Sequence, residues 1–219
     1  VNKTALLCRM PECLISTYLD NMPLAAELKA DFEWAKSIAV GPGLSMNGVA
    51  AELTRCVLER EDKVRILDAD ALNIIAAEHI DYKGSSEGKI IITPHIMEMS
   101  RLTGKTVADI KEHMIESAKE YAIQHSCICI LKDARTVVTD GQKVYINCTG
   151  NDGMSTGGCG DVLTGLIAGM TAMGLDAFEA ACLSVYVHGK AGDYAASGKG
   201  RAGMTAADIS EAIAYVLKR

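Results

Sequence analysis

The sequence predicts an α/β domain in which a mostly parallel sheet is flanked by helices. Short apolar runs alternate with longer amphipathic stretches, and this alternation is typical of strand–helix–strand units. The strand runs are largely apolar, as expected for strands buried on both faces. Hydrophobic residues make up 49% and charged residues 23% of the 219 positions, which excludes disorder as the main state. We expect one domain over residues 1–219, because no linker or internal repeat interrupts the chain.

Five short apolar runs are predicted to form strands, because their length fits a buried strand better than a helix. The aromatic content is only 5%, so the core around these strands must be largely aliphatic. In chain order the runs are TALLC (4–8), SIAV (37–40), VRIL (64–67), KIIIT (89–93) and CICIL (127–131).

The remaining elements are predicted from periodicity and turn chemistry. Between residues 106 and 124, apolar side chains recur at spacings of three and four, which predicts a helix that Thr106 and Asp109 would cap. Residues 135–147 predict a hairpin, because the Asp-Gly pair at 140–141 suits a type I′ turn. A glycine-rich loop and helical patterns come next, and the last helix would begin at a Thr-x-x-Asp cap, residues 205–208.

Charge and cysteine usage exclude several classes of protein. The net charge of −6 and the pI near 5.4 disfavour a nucleic-acid binder, which needs a basic face. No apolar run approaches the roughly 20 residues that span a bilayer, so we expect no membrane partner. None of the eight cysteines forms a C-x-x-C pair, and Cys127 and Cys129 alternate within an apolar run. Free buried thiols in a reducing cytoplasm are the simplest interpretation.

The most informative segment is the glycine-rich stretch at residues 150–161, GNDGMSTGGCGD, which precedes an apolar helical pattern. Gly157, Gly158 and Gly160 lie just before the predicted helix start. A loop of this kind directs backbone N–H groups and the positive end of the helix dipole at a ligand, which suits phosphate. Asp161 would fall in the first helical turn. Its spacing is equally compatible with compensation of the dipole and with a general base beside the phosphate.

Polar residues and glycines also come after the predicted strands, where ligands usually bind in open α/β sheets. Gly41 and Gly43 come after SIAV and would permit close approach of a substrate or form a tight turn. Asp68 at the end of VRIL could face the site, whereas Asp70 could cap the next helix. Lys132 ends CICIL and would place a cation beside phosphates, although a solvated lysine is the simpler alternative.

The third strand is followed by Thr93-Pro94-His95, with Glu98 three residues further on. His95 could bind substrate, although a single histidine is more often structural. Glu98 could order a hydrated Mg²⁺ near phosphates, since hard cations prefer oxygen ligands.

Taken together, these motifs resemble the ADP- or ATP-dependent NAD(P)H-hydrate dehydratases of the ribokinase-like superfamily. The residues that carry the resemblance are GPGL, DADALN, TPHxxE, LKxxxTV, GNxGMSTGGCGDVLTG, HGKAGD and GMTAADI, which occur in the family's order from Ala39 to Ile209.

The resemblance implies a repair reaction in which a nucleotide phosphorylates the hydroxyl of an (S)-NAD(P)H hydrate and phosphate then leaves, restoring NADH or NADPH. By motif position Asp161 would be the base, and the backbone of Gly158 and Gly160 would form an anion hole. The cofactors would be ADP or ATP and Mg²⁺, with Glu98 helping to hold the metal. Further implied contacts are Lys132, Asp133, Ala134, Arg135, Thr136, Asn151 and Gly160 for the nucleotide, and Gly41, Gly43, Asp68, His95 and Asp161 for the hydrated dinucleotide.

The sequence departs from the family pattern at three positions and at its start. Cys159 and Ser45 stand where small residues or glycine are common, and Asp133 replaces a usual glycine after the lysine. The first motifs after Val1 resemble the part of the family's domain that comes after its opening strand–loop–helix. We therefore expect the N-terminal part of the domain to be lacking.

Two alternatives remain open. One is a small-molecule kinase of the same superfamily, of the hydroxyethylthiazole or pyridoxal type; the other is a catalytically weak nucleotide-binding module. The resemblance also implies a homo-oligomer, commonly a tetramer.

Overall fold

The computed structural model describes residues 3–17, 23–85 and 89–218, and the chain divides into two compact units, residues 1–35 and 36–219. In the first unit the prediction that TALLC forms a strand is wrong. Those residues lie in an exposed helix of sequence KTALLCR, in which lysine, alanine, leucine and arginine are all strong helix formers. The helices described in this unit are α1 (Lys3–Arg9), α2 (Leu24–Glu27) and α3 (Lys29–Trp34).

The second unit is built on one sheet whose described strands are arranged in chain order, β1 to β6. The strands β1 to β4 are parallel, and β5 and β6 are antiparallel additions at one edge. The predicted mostly parallel sheet is therefore confirmed. The strands are β1 (Ser37–Val40), β2 (Val64–Leu67), β3 (Ile90–Ile92), β4 (Ile128–Leu131), β5 (Val137–Thr139) and β6 (Val144–Ile146).

Helices connect the parallel strands and continue after the hairpin, as the sequence predicts. The connecting helices are α4 (Gly48–Leu58), α5 (Ala69–Ala77), α6 (Ile96–Thr103), α7 (Val107–Glu112) and α8 (Met114–His125). The C-terminal part contains a 3₁₀ turn (Asp152–Met154) and then α9 (Cys159–Ala172), α10 (Ala177–Lys199) and α11 (Ala206–Leu217). None of the helices in the described ranges combines the length and the apolar character needed to cross a bilayer.

One apolar cluster joins the sheet to the C-terminal helices. Ile66, Ile91 and Ile130 of the sheet are fully buried and pack with Ile167 of α9 and Val185 of α10. Aliphatic side chains fill this layer, as the low aromatic content requires. The cluster holds the start of α9 at a fixed position relative to the parallel strands.

Two local predictions need correction. The helix predicted over residues 106–124 is broken at His113, whose φ of −126° and ψ of 49° are not helical, although Thr106 caps α7 as expected. The hairpin forms, but its loop has four residues rather than a two-residue type I′ turn. Asp140 determines this loop, because its carboxylate accepts hydrogen bonds from the amides of Gln142 and Lys143.

Candidate active site

The carboxyl ends of the four parallel strands meet at one edge of the sheet, and their loops are joined by backbone hydrogen bonds. The Asp68 amide donates to the Val40 carbonyl at 3.1 Å, and the Lys132 amide donates to the Pro94 carbonyl at 2.8 Å. The residues that the sequence places after β1, β2, β3 and β4 are therefore brought together.

The two glycines after β1 have different surroundings. Gly41 is buried with a φ of 128°, and a Cβ at this position would lie 1.7 Å from the Asp68 carbonyl oxygen. A glycine is therefore required there by contact with the end of β2. Gly43 is exposed with a φ of 63°, and no atom lies within 4 Å of the place where its Cβ would be. Of these two glycines, Gly43 is the one that leaves open space beside the backbone.

Asp68 and Lys132 form an ion pair at the centre of this edge. Lys132 Nζ lies 2.8 Å from Asp68 Oδ1, and the Thr164 hydroxyl donates to Asp68 Oδ2 at 2.7 Å. The Asp68 side chain is 2% exposed and that of Lys132 is 21% exposed. Burial raises the pKa of Asp68, but the charge of Lys132 and the hydrogen bonds from Lys132 and Thr164 outweigh it, so the pKa is lowered overall. Asp68 is thus ionised and positions the ammonium group.

The helix α5 starts differently from the prediction that Asp70 caps it. The helix begins at Ala69, so Asp70 lies inside the first turn, and its carboxylate accepts a hydrogen bond from the Ser45 amide at 2.7 Å. Ser45 has a φ of 70°, in the left-handed region that favours glycine, which explains why glycine suits this position.

The glycine-rich loop begins α9 directly above the ion pair. Gly158 is the N-cap residue with a φ of 86°, and the first i to i+4 hydrogen bond runs from the Val162 amide to the Gly158 carbonyl. The Cys159 amide donates weakly to the Thr156 carbonyl at 3.4 Å. The amides of Gly160 and Asp161 belong to the first helical turn, where amides have no intrahelical acceptor and are available to an anion. A Cβ at Gly160 would lie 3.4 Å from Lys132 Nζ. The N–H groups of the helix start therefore lie beside the ammonium group of Lys132, which is paired with Asp68.

Asp161 lies in the first turn of α9 and is exposed. A ligand that binds the amides of the loop can therefore reach its carboxylate. This position is compatible with both roles that the sequence leaves open, since a carboxylate here also compensates the helix dipole.

His95 and Glu98 bind each other in a capping box at the start of α6. His95 Nδ1 accepts from the Glu98 amide at 3.1 Å, and Glu98 Oε2 accepts from the His95 amide at 2.8 Å. Burial, Lys132 and Arg101 lower the pKa of His95, so the imidazole is neutral at pH 7. Burial raises the pKa of Glu98, whose side chain is 5% exposed.

These residues limit how a magnesium ion could be held. No group of three potential ligands occurs in the part of the chain that the structure describes. A cage made only of protein ligands therefore does not fit. A hydrated Mg²⁺ that arrives on nucleotide phosphates needs only one or two carboxylates, and the exposed Asp161 offers one. Glu98 is 5% exposed and accepts a hydrogen bond from the His95 amide, so it could meet such an ion only through water.

The predicted nucleotide-contacting residues occupy the loop after β4 and the 3₁₀ turn. Asp133, Ala134 and Arg135 are exposed, and Thr136 is half-buried. The exposed Asp133 side chain can point away from an anion. Asn151 caps the 3₁₀ turn, and its side-chain nitrogen Nδ2 donates a hydrogen bond to Asp193 Oδ1 at 3.0 Å.

Three polar residues at this site are not predicted from the sequence. Thr164 lies four residues after Gly160, and this helical spacing could have revealed it. Asp193 and His188 lie in the HGKAGD segment, whose pattern indicates no role for either. Asp193 also accepts a hydrogen bond from the Gly150 amide at 3.1 Å, and it thereby braces the start of the loop. His188 is 9% exposed, and burial lowers its pKa to about 4.

Named proteins that are similar to this chain indicate its family. A family model described as NAD(P)H-hydrate dehydratase matches residues 1–215. The bifunctional NAD(P)H-hydrate repair enzyme Nnr of Moorella thermoacetica is 45% identical over 183 residues, which cover 83% of this chain and 34% of the relative. The ADP-dependent (S)-NAD(P)H-hydrate dehydratase of Neisseria meningitidis is 32% identical over 219 residues, covering 98% of this chain and 71% of that protein. The chain spans about a third of the length of several bifunctional relatives that it matches.

The similarity extends to solved structures. The ADP/ATP-dependent NAD(P)H-hydrate dehydratase of Bacillus subtilis, co-crystallised with ATP and Mg²⁺, has a TM-score of 0.81 and 30% identity, covering 97% of this chain and 74% of that chain. A structure described as a ribokinase-like superfamily protein also matches, so the predicted ribokinase-like fold is confirmed. With a family model over nearly its whole length and a relative matched over most of both proteins, the chain belongs to the NAD(P)H-hydrate dehydratase family.

Proposed function

We propose that the chain catalyses nucleotide-dependent dehydration of (S)-NAD(P)H hydrate to NADH or NADPH. One observation carries this proposal: the exposed carboxylate of Asp161 stands in the first turn of a helix whose N-terminus, at Gly160, lies over the ammonium group of Lys132. This arrangement combines a base with a phosphate site, which phosphoryl transfer to a hydroxyl requires.

In the first step, the hydroxyl oxygen of the hydrate attacks the terminal phosphorus of the nucleotide. The new O–P bond forms as the bond to the leaving nucleotide breaks, and Asp161 accepts the hydroxyl proton. The amides of Gly158 and Gly160 stabilise the negative charge on the transferred group, and Lys132 neutralises part of it. ADP as donor would leave AMP, and ATP would leave ADP.

In the second step, phosphate leaves with the carbon–oxygen bond electrons. The neighbouring ring carbon gives up a proton to water, and the electron pair of the broken C–H bond forms the ring double bond of the reduced nicotinamide. The same helix start stabilises the departing phosphate, since it binds an anion in both steps.

We assign the two substrates to two groups of residues near the helix start. We assign the adenine nucleotide to residues 132–136 with Asn151, and the hydrated ring to the open space at Gly43 with the neutral His95. Glu98 would accept hydrogen bonds from water on a nucleotide-bound Mg²⁺, whose charge would offset that of the phosphates when bound. The buried Asp68 acts through Lys132, and Gly41 acts by holding Asp68.

The proposal is tested by supplying (S)-NADHX with Mg²⁺ and either ADP or ATP, and following the near-ultraviolet absorbance of NADH. Recovery of NADH with release of one phosphate per turnover is expected. A kinase of the same superfamily would consume nucleotide without restoring absorbance. Folded protein that restores no NADH with either nucleotide would contradict the proposal.

We also propose a cytoplasmic homo-oligomer. Its cysteines are free and Cys127 and Cys129 are buried, which suits a reducing compartment. The edge strand β6 exposes Val144 by 40% and Ile146 by 45%, and a second copy could cover them. Light scattering at several protein concentrations would measure the assembly, and a monomer throughout would contradict self-association.

A further inference from the structure

A cavity of about 490 Å³ opens beside the candidate active site, lined by Met46, Asn73, Ala76, Ala77 and Arg101. Its volume falls within the range of small-molecule sites. The apolar side of the cavity comes from two alanines of α5 and from Met46, which is 53% exposed. Methionine adapts to flat ligands, and nothing in the two reaction steps above uses these residues.

The polar side of the cavity offers hydrogen-bond donors. Arg101 Nη1 donates to Asn73 Oδ1 at 2.7 Å, so the amide oxygen of Asn73 is occupied and its NH₂ group can face a ligand. Because the Asn73 amide is neutral, this contact does not compensate the charge of the Arg101 guanidinium. Arginine and amide donors side by side suit an oxyanion such as phosphate.

Two residues that line the cavity are close in sequence to residues already placed at the site. Arg101 is one helical turn beyond Glu98 on α6, about 4.5 Å along the axis. Met46 is three residues beyond Gly43 in the loop after β1. The charge of Arg101 also contributes to the lowered pKa of His95, which supports their proximity.

We propose that this cavity binds the adenosine half of the hydrated dinucleotide, with a phosphate on Arg101 and Asn73 and the adenosine against Met46 and the alanines. The inference rests on the proposed function, since it concerns the substrate of the same site. A dinucleotide carries a second nucleoside and a phosphate chain beyond its reactive ring. A cavity whose Met46 wall lies three residues beyond Gly43, and which combines phosphate donors with an apolar wall, matches that second half.

The test is binding of NADPH and NADH to the full chain, measured by the fluorescence of the reduced nicotinamide without any nucleotide. Arg101→Gln should weaken binding of at least one of them about tenfold or more, since it removes a charge-assisted contact. Loss for NADPH alone would place the 2′-phosphate on Arg101, and equal loss for both would place the pyrophosphate there. Unchanged binding of both dinucleotides would overturn the proposal.

Two further variants sharpen the result. Asn73→Asp puts a carboxylate in the cavity and should also weaken dinucleotide binding by repelling phosphate. Arg55→Gln is the matched control, because Arg55 is an exposed arginine on α4 paired with Glu78, and its loss should not change binding. In turnover assays Arg101→Gln should raise KM for the hydrate with little change in KM for ADP. Failure of the wild-type chain to restore NADH would instead contradict the proposed function, irrespective of this binding result.

Discussion

Lys132 Nζ and Asp68 Oδ1 are 2.8 Å apart and connect the ends of β4 and β2 across the intervening strand β3. The pair fixes the ammonium group beneath the start of α9 before any anion binds. A phosphate that binds at the helix start as proposed would therefore meet a prepositioned cation, and little reorganisation would be needed.

Replacing Asp68 with asparagine should destabilise the fold by about 2–4 kcal/mol, because it leaves a largely buried lysine without its carboxylate. Urea unfolding of the variant and the wild-type chain measures the difference. Asp152→Asn is the control, since Asp152 and Arg201 form an exposed ion pair, and such pairs contribute about 0–1 kcal/mol. Equal losses in the two variants would contradict the special role of the pair.

Asp161→Asn should lower turnover about 10²- to 10⁴-fold while nucleotide binding is retained, the scale expected when a general base is removed. Steady-state rates of NADH recovery and calorimetric titration with ADP measure the two quantities. Asp152→Asn is the matched control, because Asp152 is an exposed aspartate in the same glycine-rich segment. A variant at 161 with full turnover would show that the base lies elsewhere.

Two glycines on α9 provide a matched pair. Gly160→Ala places a methyl group 3.4 Å from Lys132 Nζ, in the space that a phosphate would occupy, and should weaken ADP binding about tenfold or more. Gly165→Ala on the same helix meets nothing within 4 Å, and should stabilise the protein by up to about 1 kcal/mol without affecting ADP binding. Thermal unfolding and ADP titration together separate the two effects. The same ADP affinity in both variants would contradict the placement of the phosphate.

The buried His188 should make stability depend on pH. Burial lowers its folded-state pKa from 6.5 to about 4, so the unfolded chain binds the proton more readily. The free energy of unfolding should therefore be highest above pH 6.5 and decrease as the pH falls towards 4, by about 3 kcal/mol at most. The lowered pKa of Asp68 affects the free energy of unfolding only at pH values below this range.

Urea unfolding at several pH values measures the slope between pH 6.5 and 4. His188→Gln should reduce it, whereas His113→Gln at the exposed end of α7 should leave it unchanged. A folded His188 variant with the wild-type slope would contradict the assignment.

The parts of the fold set by local sequence are predictable. The four parallel strands lie close to their predicted runs, and Thr205 and Asp208 form the expected capping box at the start of α11. The prediction for TALLC is wrong because a short apolar run does not distinguish a strand from a helix. The helix break at His113 leaves no signal in the apolar spacing, which continues through it.

The site is predictable as a set of strand ends but not as a set of contacts. Asp68 and Lys132 are 64 positions apart, and their pairing depends on the register of two strands against β3. The capping box of His95 and Glu98 has the usual three-residue spacing, but its N-cap residue is a histidine rather than a serine or threonine, which hides the pattern. The cavity at Arg101 results from packing between helices, for which the sequence carries no local pattern.

The contact between Gly41 and the Asp68 carbonyl has a consequence for engineering the loop after β1. A side chain at 41 would displace the backbone of Asp68, and the disturbance would reach the ammonium group two strands away. Variants that probe the proposed substrate contacts can therefore be placed between Pro42 and Asn47, whereas position 41 must be kept as the fixed anchor of any grafted loop.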